Sequence, residues 1–187
     1  MPITMRDYQE RAIAACVEKA AAGHRRVIVN HPTGCGKTVL AVEMARRALA
    51  KSDGDVLWLT HREELADQTA RTATAIGIPA DEVGVVMADR DEHDRRLVIA
   101  SLPTLWQERR LDRVVRGGSR RFRLAIYDEV HHAAARCNRA VLDALPWDPF
   151  VIGLTATIER GDGGSLKDVF PGGIAHQLPL SDAIRDG

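Results

Sequence analysis

The chain has 187 residues, with Lys+Arg and Asp+Glu equal at 26 each and 45% hydrophobic residues. That length suits one domain with a well-buried core. Zero net charge excludes capture of a polyanion by a global field, so any nucleic-acid contact must use a local patch. Cys16, Cys35 and Cys137 lack metal-ligand spacing and cannot all pair, which points to a reducing, cytoplasmic compartment. Met1 to Thr4 opens no apolar signal core and no apolar run approaches 18 residues, so a soluble protein without membrane contact is expected.

In chain order, Arg6 to Ala22 reads as a helix, with Ala12, Ile13, Cys16, Val17 and Ala20 on one face. The apolar run Val27-Ile28-Val29 then leads into His31-Pro32-Thr33-Gly34-Cys35-Gly36-Lys37-Thr38, and a helix over Lys37 to Lys51 leads out. Strand, glycine turn and helix start make the context of a phosphate-binding loop. Gly34 and Gly36 let successive N–H groups converge on an anion, which also meets the positive end of the helix. Lys37 would reach the β- and γ-phosphates of a nucleotide and Thr38 would ligate Mg²⁺. His31 stands where the general pattern has glycine.

Asp55 to Thr60 is an apolar run of the kind a strand covered on both faces shows, followed by a helix start at Arg62-Glu63-Glu64-Leu65. Glu82 to Ala88 and Leu97 to Ala100 read as short strands, and Asp89 to Arg96 between them as a solvated charged loop. Ser101 and Pro103 suit the first turn of a helix. The arginines from Arg109 to Arg123 have only Phe122 among them as an aromatic, so they lack the stacking pattern of a single-strand platform. Phe122 to Tyr127 is a strand with Asp128-Glu129-Val130-His131-His132 at its end, where ligands bind in open parallel sheets. Two adjacent carboxylates fit hydrolysis of a nucleotide: Asp128 to hold Mg²⁺ and Glu129 to deprotonate the attacking water. The adjacent histidines lack the i, i+4 spacing of a helical zinc site. Phe150 to Leu154 is a further buried strand, ending at Thr155-Ala156-Thr157. Gly161 to Gly164 reads as a mobile loop and Gly172 to Leu180 as a last strand.

Together these segments resemble the superfamily 2 DExH helicases and translocases. Arg6-Asp7-Tyr8-Gln9 resembles the adenine-recognition motif, Thr33 to Thr38 motif I, Thr60 to Gln68 motif Ia, Asp128 to His131 motif II, and Thr155 to Thr157 motif III. The form of motifs II and III is most similar to the branch of type III restriction subunits and DNA-repair helicases. The resemblance implies an α/β fold, the first RecA-like domain, with a mostly parallel sheet and helices on both faces, spanning residues 1–187. It implies ATP and Mg²⁺ as cofactors, bound by Arg6, Tyr8, Gln9, Thr33, Gly34, Cys35, Gly36, Lys37 and Thr38. Lys37, Asp128 and Glu129 are the implied catalytic residues, and Thr38 and Asp128 the implied metal ligands. His131, Thr155 and Thr157 would couple nucleotide state to other surfaces. Arg62 would contact a nucleic-acid backbone or position the loop locally, and Ser101 and Thr104 would either do the same or serve as an ordinary helix cap. DNA is implied before RNA. The family's motifs IV to VI have no match here, so a second RecA-like domain is expected in cis or in trans, and the isolated chain should be a poor ATPase. The rival expectation is a nucleotide-dependent binding switch that separates no strands.

Overall fold

The computed structural model describes residues 4–116, 121–130, 133, 136–146, 148–157 and 163–185. Eight strands form one sheet: β1 Arg26–Asn30, β2 Asp55–Thr60, β3 Val83–Met87, β4 Arg90–Asp91, β5 Leu97–Ser101, β6 Phe122–Tyr127, β7 Phe150–Thr155 and β8 Ile174–Gln177. The spatial order is β4-β3-β5-β2-β6-β7-β1-β8, with every pairing parallel except β3 with β4.

Strand side chains alternate between two apolar layers, as the pleat requires. Val56 and Trp58 of β2 join one layer, while Leu57 and Leu59 join the other. The first layer is closed by α1 Asp7–Ala21, α2 Lys37–Lys51 and α3 Glu63–Ala75, through Ile13, Leu40 and Ala66. The second is closed by α4 Leu102–Leu105, α5 Glu108–Leu111, α6 Arg136–Asp143 and α7 Gly163–Val169, through Leu105, Leu111, Val141 and Leu166. A last helix, α8 Leu180–Arg185, follows β8. Arg47 bonds both Glu43 and Glu10, tying α2 to α1.

Some local expectations differ from the structure. Val17 is 59% exposed rather than inward. It borders an apolar groove of about 550 Å³, lined also by Ile13, Met44, Ala48 and Phe150, at the amino ends of β6 and β7. Helical period marks an apolar stripe but not how far the neighbouring helix extends over it. The charged run after β3 is not simply a solvated loop. Its Arg90–Asp91 pairs with β3, Asp91 meets Arg110 and Arg113, and the Glu92 carboxylate accepts the Val85 N–H at 2.9 Å. Gly163 and Gly164 open α7, while Gly161 and Asp162 lie outside the described residues. The strand expected over Gly172 to Leu180 is limited to Ile174–Gln177.

Candidate functional site

The sheet order brings the separated motifs to one edge. At the carboxyl ends of the adjacent strands β5, β2, β6, β7 and β1 stand, in that order, Ser101, Thr60-His61-Arg62, Asp128-Glu129, Thr155 to Thr157, and the loop from His31 to Thr38. The last three form a contiguous half of the edge.

The phosphate loop takes its shape from two left-handed glycines, Gly34 at φ 85° and Gly36 at φ 66°. Gly36 caps α2 with no side-chain capping bond, so the helix amides of the first turn face the loop. A Cβ on Gly36 would come within 2.8 Å of the Gln9 side-chain nitrogen. Lys37 Nζ donates to the carbonyls of His31 and Pro32 at 3.1 and 3.3 Å, so its charge is folded onto the loop itself. Such a cradle of helix-start amides, close glycines and a cation fits a nucleotide's phosphates.

The segment before the loop is locked to it. Tyr8 is buried, accepts from Arg6 at 3.2 Å and donates to the Cys35 carbonyl at 3.1 Å. Gln9 is also buried. Its oxygen accepts the Arg6 N–H at 2.9 Å, and its nitrogen donates to the Gly36 carbonyl at 3.3 Å. An amide has two donor hydrogens and two lone pairs, so Gln9 can hold the loop and still meet a base edge. Beside these residues a concavity of about 410 Å³ is lined by Arg6, Asp7, Tyr8, Arg11 and Arg185. Arg11 and Arg185 were not legible as site residues. Arg185 stands on α8, and the packing of Leu178 and Ala183 with Tyr8 and Cys35, together with the Leu178 N–H bond to the Asn30 carbonyl at 2.9 Å, brings that end of the chain to the loop.

Asp128 is partly buried, and its N–H bonds the Leu59 carbonyl at 2.9 Å. Burial raises its pKa to about 6, the Glu129 charge adds to this, and Lys37 opposes it. Glu129 adopts φ 56°, a left-handed conformation that costs energy for any residue with a β-carbon and is found where a site demands it. Oxygen donors from Asp128 and Thr38 beside a nucleotide's phosphates make a set that fits a hard divalent cation. Among the described residues no group of three or more His, Cys, Asp or Glu could hold a metal on its own.

Thr155 is fully buried, and its hydroxyl donates to the Thr157 carbonyl at 2.7 Å. The Thr155 carbonyl accepts the His31 N–H at 3.0 Å, joining motif III to the phosphate loop. His131 lies outside the described residues. Arg62 is exposed at the start of α3. Ser101, the last residue of β5, stands at the N-cap of α4 but makes no side-chain capping bond and is only 3% exposed, leaving half-buried Thr104 as the more accessible hydroxyl of that turn. Cys16, Cys35 and Cys137 are all free thiols, and burial pushes Cys16 up to about 12. Among the described residues no helix is long and apolar enough to cross a membrane.

The family model described as type III restriction enzyme, res subunit, matches residues 2–160. The chain is 33% identical over 186 residues to a Saccharomyces cerevisiae protein carrying the name ATP-dependent helicase IRC3, covering 92% of this chain and 26% of that one. It therefore spans about a quarter of that relative's length. The Hef helicase domain of Pyrococcus furiosus superposes with a TM-score of 0.73 at 22% identity, over 89% of this chain and 36% of that one. The restriction-modification enzyme LlaGI, solved with a DNA substrate mimic, superposes with a TM-score of 0.76 at 17% identity, over 98% of this chain and 20% of that one. With a phosphate loop, a DExH-type carboxylate pair and a Thr-Ala-Thr turn on one edge of a RecA-like sheet, the chain belongs to the type III restriction enzyme res-subunit family of superfamily 2.

Proposed function

We propose that this domain binds Mg²⁺-ATP at the carboxyl edge of β1, β6 and β7. With a second RecA-like domain, in cis or in trans, it hydrolyses ATP to drive movement on DNA. The observation that carries the reading is the placing of Lys37, Asp128, Glu129 and Thr155 at or beyond the carboxyl ends of three adjacent strands, beside a loop to which Tyr8 and Gln9 are bonded.

On this reading, phosphate oxygens replace the His31 and Pro32 carbonyls as acceptors for Lys37, exchanging neutral for charge-assisted hydrogen bonds. The amides from Gly34 to Thr38 cradle the phosphates, with Thr33 and Cys35 in the same loop. Arg6, Tyr8 and Gln9 bound the base side. Thr38 and Asp128 would hold Mg²⁺, which when bound offsets the negative charge between the β- and γ-phosphates. Glu129 orients a water and takes its proton as the oxygen attacks the γ-phosphorus and the bond to the ADP oxygen breaks. Thr155, Thr157 and His131 relay the change, and Arg62 and Thr104 form the DNA-facing end of the same edge, with buried Ser101 supporting that turn from behind. The DNA assignment is supported by the LlaGI complex, and the use of ATP by the name of the yeast relative. Free thiols fit a reducing, cytoplasmic setting.

The test is steady-state phosphate release with and without duplex DNA, on this domain alone and joined to a second RecA-like domain. Arginine fingers from a second domain contribute ~10³–10⁵-fold in this chemistry, so the lone domain should turn over slowly and gain little from DNA. The joined protein should show DNA-stimulated hydrolysis. Nucleotide binding without hydrolysis by the joined protein would favour a switch module instead. Fast DNA-stimulated turnover by the lone domain would show that it holds a complete site.

A further inference from the structure

His31 stands where the general phosphate loop has glycine, and the nucleotide reading makes no use of its ring. That ring is fully buried. Its Nε2 lies 2.8 Å from Nδ1 of His176 on β8, with ring centroids 5.0 Å apart. On its other side Tyr8 packs edge-on at 5.7 Å. Nδ1 of His31 is buried with no hydrogen-bond partner among the described residues.

A bulge creates this pairing. β1 and β8 run parallel with Ile28 opposite Ile174, yet Val29 is opposite His176, so Ala175 is an extra residue on β8. A slip of one residue exchanges the faces of a strand. Without the bulge His176 would stand opposite Asn30, on the face away from His31. With it, His176 shares the face of Val29 and of His31 two residues on.

The contact also selects a tautomer. A hydrogen on Nδ1 of His31 would bury an unpartnered N–H, whereas a hydrogen on Nε2 leaves only a lone pair there and completes the bond. His31 is therefore the donor and His176 the acceptor. Tyr8 and Arg11 of α1, Lys37 of α2 and His176 of β8 are the titratable or charged groups facing the pair. Burial lowers both rings, and the neighbouring cations add to it, so both are neutral near pH 7.

We propose that His31 is a positioning residue of the nucleotide site: donating from Nε2 to Nδ1 of His176, it clamps the start of the phosphate loop between Tyr8 and β8. The clamp acts on the main chain that matters. The His31 carbonyl receives Lys37, the His31 N–H bonds Thr155, and Tyr8 grips the far side of the loop at Cys35. Releasing the ring loosens that frame and weakens nucleotide binding. The binding consequence rests on the nucleotide reading above; the clamp itself does not.

The test uses a fluorescent ADP analogue with Mg²⁺ and nitrogen-15 spectra of the histidine rings. His176→Leu removes the acceptor and should weaken analogue binding roughly tenfold, the size of one buried hydrogen bond lost. His176→Gln restores a carbonyl acceptor and should recover most of the affinity, which a purely steric role would not predict. In the unmodified protein, His31 should hold a neutral, Nε2-protonated ring down to pH 5.5. Equal affinity in His176→Leu, no rescue by His176→Gln, or a His31 ring titrating near its ordinary value would each overturn the clamp. If the unmodified protein bound no analogue, the nucleotide reading and the binding consequence would fall together, while the ring spectra would still decide the clamp.

Discussion

Nε2 of His61 lies 3.0 Å from the buried hydroxyl of Tyr127, joining the end of β2 to the end of β6. A second tie, from the Asp128 N–H to the Leu59 carbonyl at 2.9 Å, runs beside it. His61 precedes Arg62 and Tyr127 precedes Asp128, so the turn proposed to face DNA and the carboxylate turn share one support. Tyr127→Phe keeps the ring and deletes the bond. It should destabilise the domain by about 1 kcal/mol, read as a lower urea midpoint at unchanged slope. An unchanged midpoint would show that the pairing contributes nothing to stability.

Binding and chemistry should separate along the edge. Lys37→Ala removes the cation proposed to meet phosphate and should weaken Mg²⁺-ATP affinity. Glu129→Gln removes only the base and should leave affinity within about twofold while stopping hydrolysis in the two-domain protein. Equal loss of affinity in both variants would contradict the assigned roles.

Gly153 should tolerate no side chain. A Cβ there would lie 2.6 Å from Val130 Cγ2 and 3.0 Å from the Phe170 ring, and Val130 adjoins Glu129. Gly153→Ala should cost ~1–3 kcal/mol by overpacking, and it should slow hydrolysis by displacing the carboxylate turn. Thermal melts with phosphate-release rates on the same preparation check both halves. An unaltered melting temperature would mean that β7 shifts freely.

Acid should erode the contribution of His31. Its folded pKa, lowered to about 4, lies below the ordinary value of 6.5, so the unfolded chain binds more protons across that window. The contribution is therefore complete above about pH 6.5 and is lost as pH falls toward 4. Asp128, raised to about 6, acts in the opposite sense: its contribution is present at low pH and lost as pH rises through that value. It is common to the protein and a His31→Leu variant, so it cancels in their difference. Denaturant titrations should show the stability difference between the two moving in favour of His31→Leu on acidification from pH 7 to pH 4.5. A pH-independent difference would mean that His31 titrates alike in the folded and unfolded chains.

The phosphate loop was legible because its causes are local. A strand end, two glycines and a helix N-terminus lie within a dozen residues, and each acts through its own backbone. The carboxylate turn was legible for the same reason, as charged residues abruptly ending an apolar strand. The positive φ of Glu129 left no mark in the sequence, because a glutamate takes that conformation only when surrounding contacts impose it. Val17 misled because an apolar stripe does not say which of its members a neighbour covers.

By itself, then, the sequence determined which chemical groups the chain carries, which strand ends bear them, and the α/β class of the fold. The tertiary structure decided which of those ends are neighbours. Placing β1, β7 and β6 side by side puts residues far apart in the chain on one edge, and strand order depends on crossovers that no local pattern encodes. It also decided the partner of His31, 145 positions away, through a one-residue bulge in β8. A slip of one residue changes no local propensity and yet exchanges the faces of a strand, so only the paired sheet could reveal it.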